Sequence, residues 1–138
     1  MENMNVDAFI EKFAENVWTE VVEGVDRFQC AYPAAEANRS ILGFYTAFRI
    51  VFGREPTEIE LEHLKLNFLE REHKCLLARG KDAKGFIYPE WHPGGDQLLK
   101  LRYRLGVPGG VKNAAEWQKV MASARAAHYQ RQHVAKAA

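Results

Sequence analysis

Pro56-Thr57-Glu58-Ile59-Glu60-Leu61-Glu62-His63-Leu64 carries the plainest structural signal in the chain. Thr57 is placed to accept a hydrogen bond from a first-turn amide while Glu60 reaches back, the reciprocal arrangement that starts a helix. Leu61, Leu64, Phe68 and Cys75 then recur on one face, and Leu66, Leu69, Leu76 and Leu77 widen it. Neither Pro nor Gly interrupts this pattern before Gly80. The spacing predicts a helix to about Ala78, in contact with more than one neighbour.

Two more helices are predicted upstream. Ser40 to Phe52 is apolar nearly all round, with Phe44, Phe48 and Phe52 at i, i+4 and i+8. Such a helix belongs in the middle of a core, and Gly53 suits its C-terminal stop. The first helix is expected from Val6 to Phe28, capped by Asn5. Val6, Ile10, Phe13, Val17, Val21 and Phe28 form its stripe; Trp18, Val22 and Val25 broaden it, and Gly24 falls on the buried side. Tyr32-Pro33-Ala34-Ala35 breaks the pattern.

Downstream the signal is more mixed. Residues 81–95 are irregular, with Phe86-Ile87-Tyr88 readable as a short strand and Pro89, Pro93, Gly94 and Gly95 marking a loop. Leu99, Leu101, Tyr103 and Leu105 alternate with Lys100, Arg102 and Arg104, a strand pattern. Asp96, Gly106 and Pro108 around them are helix punctuation. Helix is favoured for 98–105 and strand stays open, in which case it would pair with Phe86-Ile87-Tyr88. A last helix begins at Asn113, with Glu116 at capping spacing and Trp117, Val120, Met121, Ala124 and His128 on one face. Its tail is expected to fray from about Gln132.

Together these elements predict one mainly α domain over 1–138, a bundle of about five helices with a short irregular or β segment near 85–95. A chain of 138 residues buries roughly 70% of its unfolded surface, so one core suffices. With 47% apolar and 27% charged residues, general disorder is excluded. The N-terminus is polar and acidic, unlike a secretory leader, and no apolar run approaches the ~18 residues of a membrane span. A cytoplasmic protein without membrane attachment is expected. Cys30 and Cys75 then read as reduced core thiols, with a single disulfide left open.

Charge supplies the functional lead. Residues 1–38 hold eight acids and two bases, a net of −6; residues 98–138 hold eight bases and one acid, a net of +7. The remainder is neutral, so the whole-chain charge of +1 conceals a dipole. Such asymmetry points to interaction surfaces. Glu11, Glu15, Glu23 and Asp26 form a candidate acidic face, able to occupy a partner's basic groove. Lys100, Arg102, Arg104, Lys112, Lys119 and Arg125 form a candidate basic face, interleaved with Tyr103 and Trp117, a combination that suits phosphates and bases. Mutual neutralisation of the two faces inside the fold is the plainer alternative.

The loop Tyr88-Pro89-Glu90-Trp91-His92-Pro93 is a further candidate. Tyr88, Trp91 and His92 suit an interface anchor, since large rings bury much area at little entropic cost; Trp91 folding back onto the core is the equal alternative. Glu90, His92 and Asp96 lack a recognised metal-ligand spacing. Glu72 has Phe68, Leu69, Cys75 and Leu76 as helical neighbours, so its carboxylate is expected to pair with Arg49 or Lys65. His73 pairs most simply with Glu70. The turn at Leu105-Gly106-Val107 matches a helix-turn-helix corner poorly, because Pro108-Gly109-Gly110 lengthens it. No phosphate loop, nucleophile elbow or zinc signature is present.

The sequence therefore predicts a non-enzymatic interaction protein, an adaptor, regulator or inhibitor acting on a protein partner through its charged faces, with no cofactor and no metal. The alternatives are nucleic-acid binding by the basic third, and a small enzyme with a site near Glu72 and His73 or near Glu90 and His92. Homo-oligomerisation is compatible with all three.

Overall fold

The computed structural model describes residues 5–23, 37–82 and 84–137, with side chains at 5–20, 37–82 and 84–134. The described residues are mainly helical, with five α-helices and no strand. These are α1 (Val6–Val17), α2 (Ile41–Phe52), α3 (Glu58–Arg79), α4 (Asp96–Arg104) and α5 (Ala114–Ala137). None is long and apolar enough to cross a membrane. The chain divides into two compact units, residues 1–74 and 75–138.

In the first unit, α1 starts where Asn5 accepts from the Asp7 amide at 2.7 Å, satisfying one of the free first-turn donors. The α-helix stops at Val17 and continues as a π-helix over Trp18–Glu23. A regular helix to Phe28 is therefore corrected within the described part. Thr19, Val21 and Val22, β-branched residues with weak helix preference, lie in the segment that departs. Gly24, Asp26, Phe28, Cys30 and the Tyr32-Pro33 break lie outside the described residues. The core of this unit is aromatic. The Phe9 ring centre lies 5.8 Å from those of Phe44 and Phe48, 5.3 Å from Phe52 and 6.4 Å from Phe13. Phe44, Phe48 and Phe52 touch along α2 as their spacing predicts.

Helix α2 is not wrapped by the core. Phe44 and Phe48 are fully buried, whereas Leu42 is 80% and Ile50 78% exposed, with Val51 exposed beside them. Apolar composition all round did not decide burial here; the aromatic side of the helix packs and the aliphatic side faces out. A short 3-10 turn over Asn38–Ser40 precedes α2. Gly53 closes it at φ 68°, donating to the Arg49 carbonyl, a conformation only glycine adopts without strain.

The capping box of α3 forms as read. The Glu60 amide donates to Thr57 Oγ1 at 3.2 Å, and the Thr57 amide donates to Glu60 Oε1 at 2.8 Å. Both Arg54 terminal nitrogens also bind the Glu60 carboxylate, at 2.8 and 2.9 Å. Glu62, Leu64, Leu66 and Phe68 are buried. Glu62 and Leu64 point about 160° apart on a helix, so α3 is covered on opposite sides, as its broad arc predicts. The buried carboxylate is Glu62, at 8% exposure, while Glu72 is half-buried. Arg49 Nε pairs with Glu55 at 2.8 Å.

In the second unit, Phe86-Ile87-Tyr88 makes no strand. A single antiparallel bridge joins Lys81 and Ile87, and the Asp82 carboxylate accepts from the Lys84 and Phe86 amides at 2.9 and 3.0 Å. This side-chain mimic of a backbone turn leaves Phe86 and Ile87 exposed. Residues 98–104 resolve as part of helix α4, with Leu105 as its C-cap, Leu98 and Leu99 buried and Lys100 paired to Asp96 one turn back at 3.3 Å. Helix α5 starts with Asn113 Oδ1 accepting from the Glu116 amide at 2.9 Å while the Glu116 carboxylate accepts from the Lys112 amide. It runs to Ala137, so the tail expected to fray is helical. Cys75 is half-buried.

Candidate interaction surfaces

Two residues of the predicted acidic face, Glu11 and Glu15, lie on α1. Glu11 and Glu15 are exposed, one turn apart on the side away from Phe9, Ile10 and Ala14. Glu23 belongs to the π segment, with its side chain outside the described ones, and Asp26 lies outside the described residues. A cleft of about 470 Å³ opens between α1 and α3. Asp7 and Glu11 line it from α1, and His63, Glu70, Arg71 and Lys74 from α3. The Arg71 Nε donates to Asn67 Oδ1 at 2.7 Å, one turn earlier on the same helix.

The second unit gathers what the sequence presents as separate candidates. Trp91, from the Pro-braced loop, lies with its ring centre 5.6 Å from the Arg125 guanidinium of α5. Its ring centre is 6.3 Å from those of both His92 and His128. Tyr88 stacks on His92 at 4.0 Å, and His128 lies 5.8 Å from Tyr129. Glu90 Oε1 approaches His128 Nδ1 at 4.0 Å. Two hydrogen bonds hold the loop in this place. Trp117 Nε1 donates to the Gly94 carbonyl at 2.9 Å, and the Gly94 amide donates to His92 Nδ1 at 3.0 Å. Trp91 is thus half-buried, between the two alternatives its sequence context leaves open.

A second cation and ring meet nearby in the chain. Lys112 Nζ stands 5.8 Å from the centre of the Tyr103 ring, which is half exposed. Such pairs are electrostatic attractions between a cation and the ring's negative face.

No family model matches the chain, and no curated protein or solved structure does either.

The basic residues do not form one uninterrupted face. Arg104, Lys112, Lys119 and Arg125 are exposed, and Lys100 and Arg102 half-buried. Lys119, Arg125 and Arg131 follow at six-residue steps along α5, each turning about 240°, so they lie on three sides of the helix. The connection between α4 and α5 covers residues 105–113, longer than the three- or four-residue turn of a helix-turn-helix. Among the described residues, no three His, Cys, Asp or Glu side chains are grouped to hold a metal ion. Glu72 and His73 are adjacent and half-buried on α3, and neither lines the 470 Å³ cleft. His128, Tyr129 and the Arg125–Trp91 contact were the residues missed as a group. The signal was present, since Arg125, His128 and Tyr129 fall within one turn of α5.

Proposed function

We propose that the chain is a non-enzymatic interaction protein, an adaptor, regulator or inhibitor that works through surfaces of opposite charge. The observation that supports this reading is that Glu11 and Glu15 are exposed one turn apart on α1, while Lys112, Lys119 and Arg125 are exposed in the second unit. The acidic side of α1 suits a basic groove on a protein partner, where a row of carboxylates stands in for phosphates. The surface around Trp91 and Arg125 suits an anionic partner, because it joins a cation to half-buried rings that act as an anchor. Both contacts are expected to be cytoplasmic.

The test is affinity capture from the native host with the full chain at low and high salt. Glu11→Gln with Glu15→Gln, and Lys112→Gln with Arg125→Gln, serve as paired controls. Partners retained by the wild type at low salt are expected to be lost at high salt, and each double substitution is expected to remove its own subset. Capture that ignores both salt and the substitutions would overturn the reading.

A further inference from the structure

We infer that the basic and aromatic surface around Trp91, Arg125 and Tyr129, together with the separate Lys112–Tyr103 pair, binds single-stranded nucleic acid. This rests on the reading of that surface as a contact site for an anionic partner, and names the partner's class. Two cations are already held over rings, Arg125 at 5.6 Å from Trp91 and Lys112 at 5.8 Å from Tyr103. A third ring, Tyr129, is 62% exposed and lies against His128. Phosphates are recognised by the cations, and unpaired bases stack on the exposed faces of Tyr103 and Tyr129. Trp91 acts on the ligand through Arg125, whose position it sets.

The geometry selects among polyanions. An acidic protein surface offers carboxylates without a run of bases to stack on Tyr103 and Tyr129, whereas a single strand offers phosphates and bases together. A duplex keeps its bases stacked internally and offers only phosphates and groove edges. The scatter of Lys119, Arg125 and Arg131 around α5 gives no single stripe to lie along a groove, and the long connection 105–113 gives no tight turn to present a recognition helix. A flexible strand follows cations that are not collinear.

The experiment is fluorescence anisotropy of the full chain with a labelled deoxythymidine strand of about 20 nucleotides, its duplex, and polyglutamate of similar charge. The strand is expected to bind more tightly than either competitor. Tyr103→Ala and Tyr129→Ala, both at exposed positions, are each expected to weaken it roughly 5- to 100-fold. Arg125→Gln and Lys112→Gln are each expected to lower the slope of log affinity against log salt by about 0.7. Absence of strand binding at about 50 mM salt, equal or tighter binding of the duplex, or strand binding indifferent to both tyrosines would overturn the inference. Polyglutamate binding that depends on Arg125 and Lys112 without strand binding would also overturn it, while leaving the surface as a site for an acidic protein.

Discussion

The Arg125 guanidinium sits 5.6 Å from the centre of the Trp91 ring. That contact makes one surface from a loop and a helix that the sequence separates. It depends on Trp117, one turn into α5, whose indole reaches back to the Gly94 carbonyl.

Trp117→Phe keeps most of the apolar area and removes that hydrogen bond. The expected loss is about 1 kcal/mol, the usual net worth of one intramolecular hydrogen bond. Urea unfolding measures it. Amide exchange at 91–95 should accelerate in the same variant, because the loop loses its tether.

Glu60 gives a defined pH dependence. The Arg54 hydrogen bonds, with help from Thr57, hold its carboxyl at about 2, well below its ordinary value near 4.5. A folded-state pKa below the unfolded one adds stability that is complete above the unfolded value. That stability is lost as pH falls through the folded value. The window is therefore from about 4.5 down to about 2. Arg54 is nearly half exposed, so solvent screens the pair and keeps its contribution small. The stability difference between wild type and Glu60→Gln should shrink across that window and stay constant from pH 5 to 7, which acid titration of the urea midpoint checks.

The aromatic core and the outer side of α2 should respond oppositely to truncation. Phe9 touches four phenylalanine rings, so Phe9→Ala is expected to cost about 3–5 kcal/mol. Leu42 is 80% exposed, and Leu42→Ser should change stability by less than about 0.5 kcal/mol. Thermal or urea unfolding of the two variants decides the point. A large loss at Leu42 would restore α2 to the centre of the core.

Two glycines in the α4–α5 connection separate close approach from backbone conformation. A Cβ on Gly110 would fall 2.2 Å from the Tyr103 amide nitrogen and 2.6 Å from its Cα. Backbone cannot yield cheaply, so Gly110→Ala is expected to cost about 3 kcal/mol. Gly106 has open space and φ +71°, so Gly106→Ala should cost only about 1–2 kcal/mol. Parallel urea curves measure both.

Local signals in the sequence were reliable where one element satisfies its own backbone. The Asn5, Thr57–Glu60 and Asn113–Glu116 caps all form, because a cap is settled within four residues. Orientation was harder. Helix α2 is apolar on every side, so periodicity alone did not say which side packs, and Phe9 was overlooked beside the Ile10–Val17 stripe although Phe9 and Phe13 are one turn apart. The alternation over 99–105 imitated a strand, yet Leu98 and Leu99 are adjacent and both buried, which a strand with one covered face does not allow. The individual residues of the basic surface were legible from charge and composition. The meeting of Arg125 with Trp91 was not, because the loop is held by the Gly94–Trp117 hydrogen bond between residues 23 apart.

The most direct measurement is the salt dependence of partner capture by the wild type against the chain carrying Lys112→Gln and Arg125→Gln. Exposed charge that engages partners predicts strong capture at about 50 mM salt, loss by about 500 mM, and a weakened, flatter response in the variant. Identical curves for the two proteins, with stability unchanged, would contradict the claim that this charge serves another molecule.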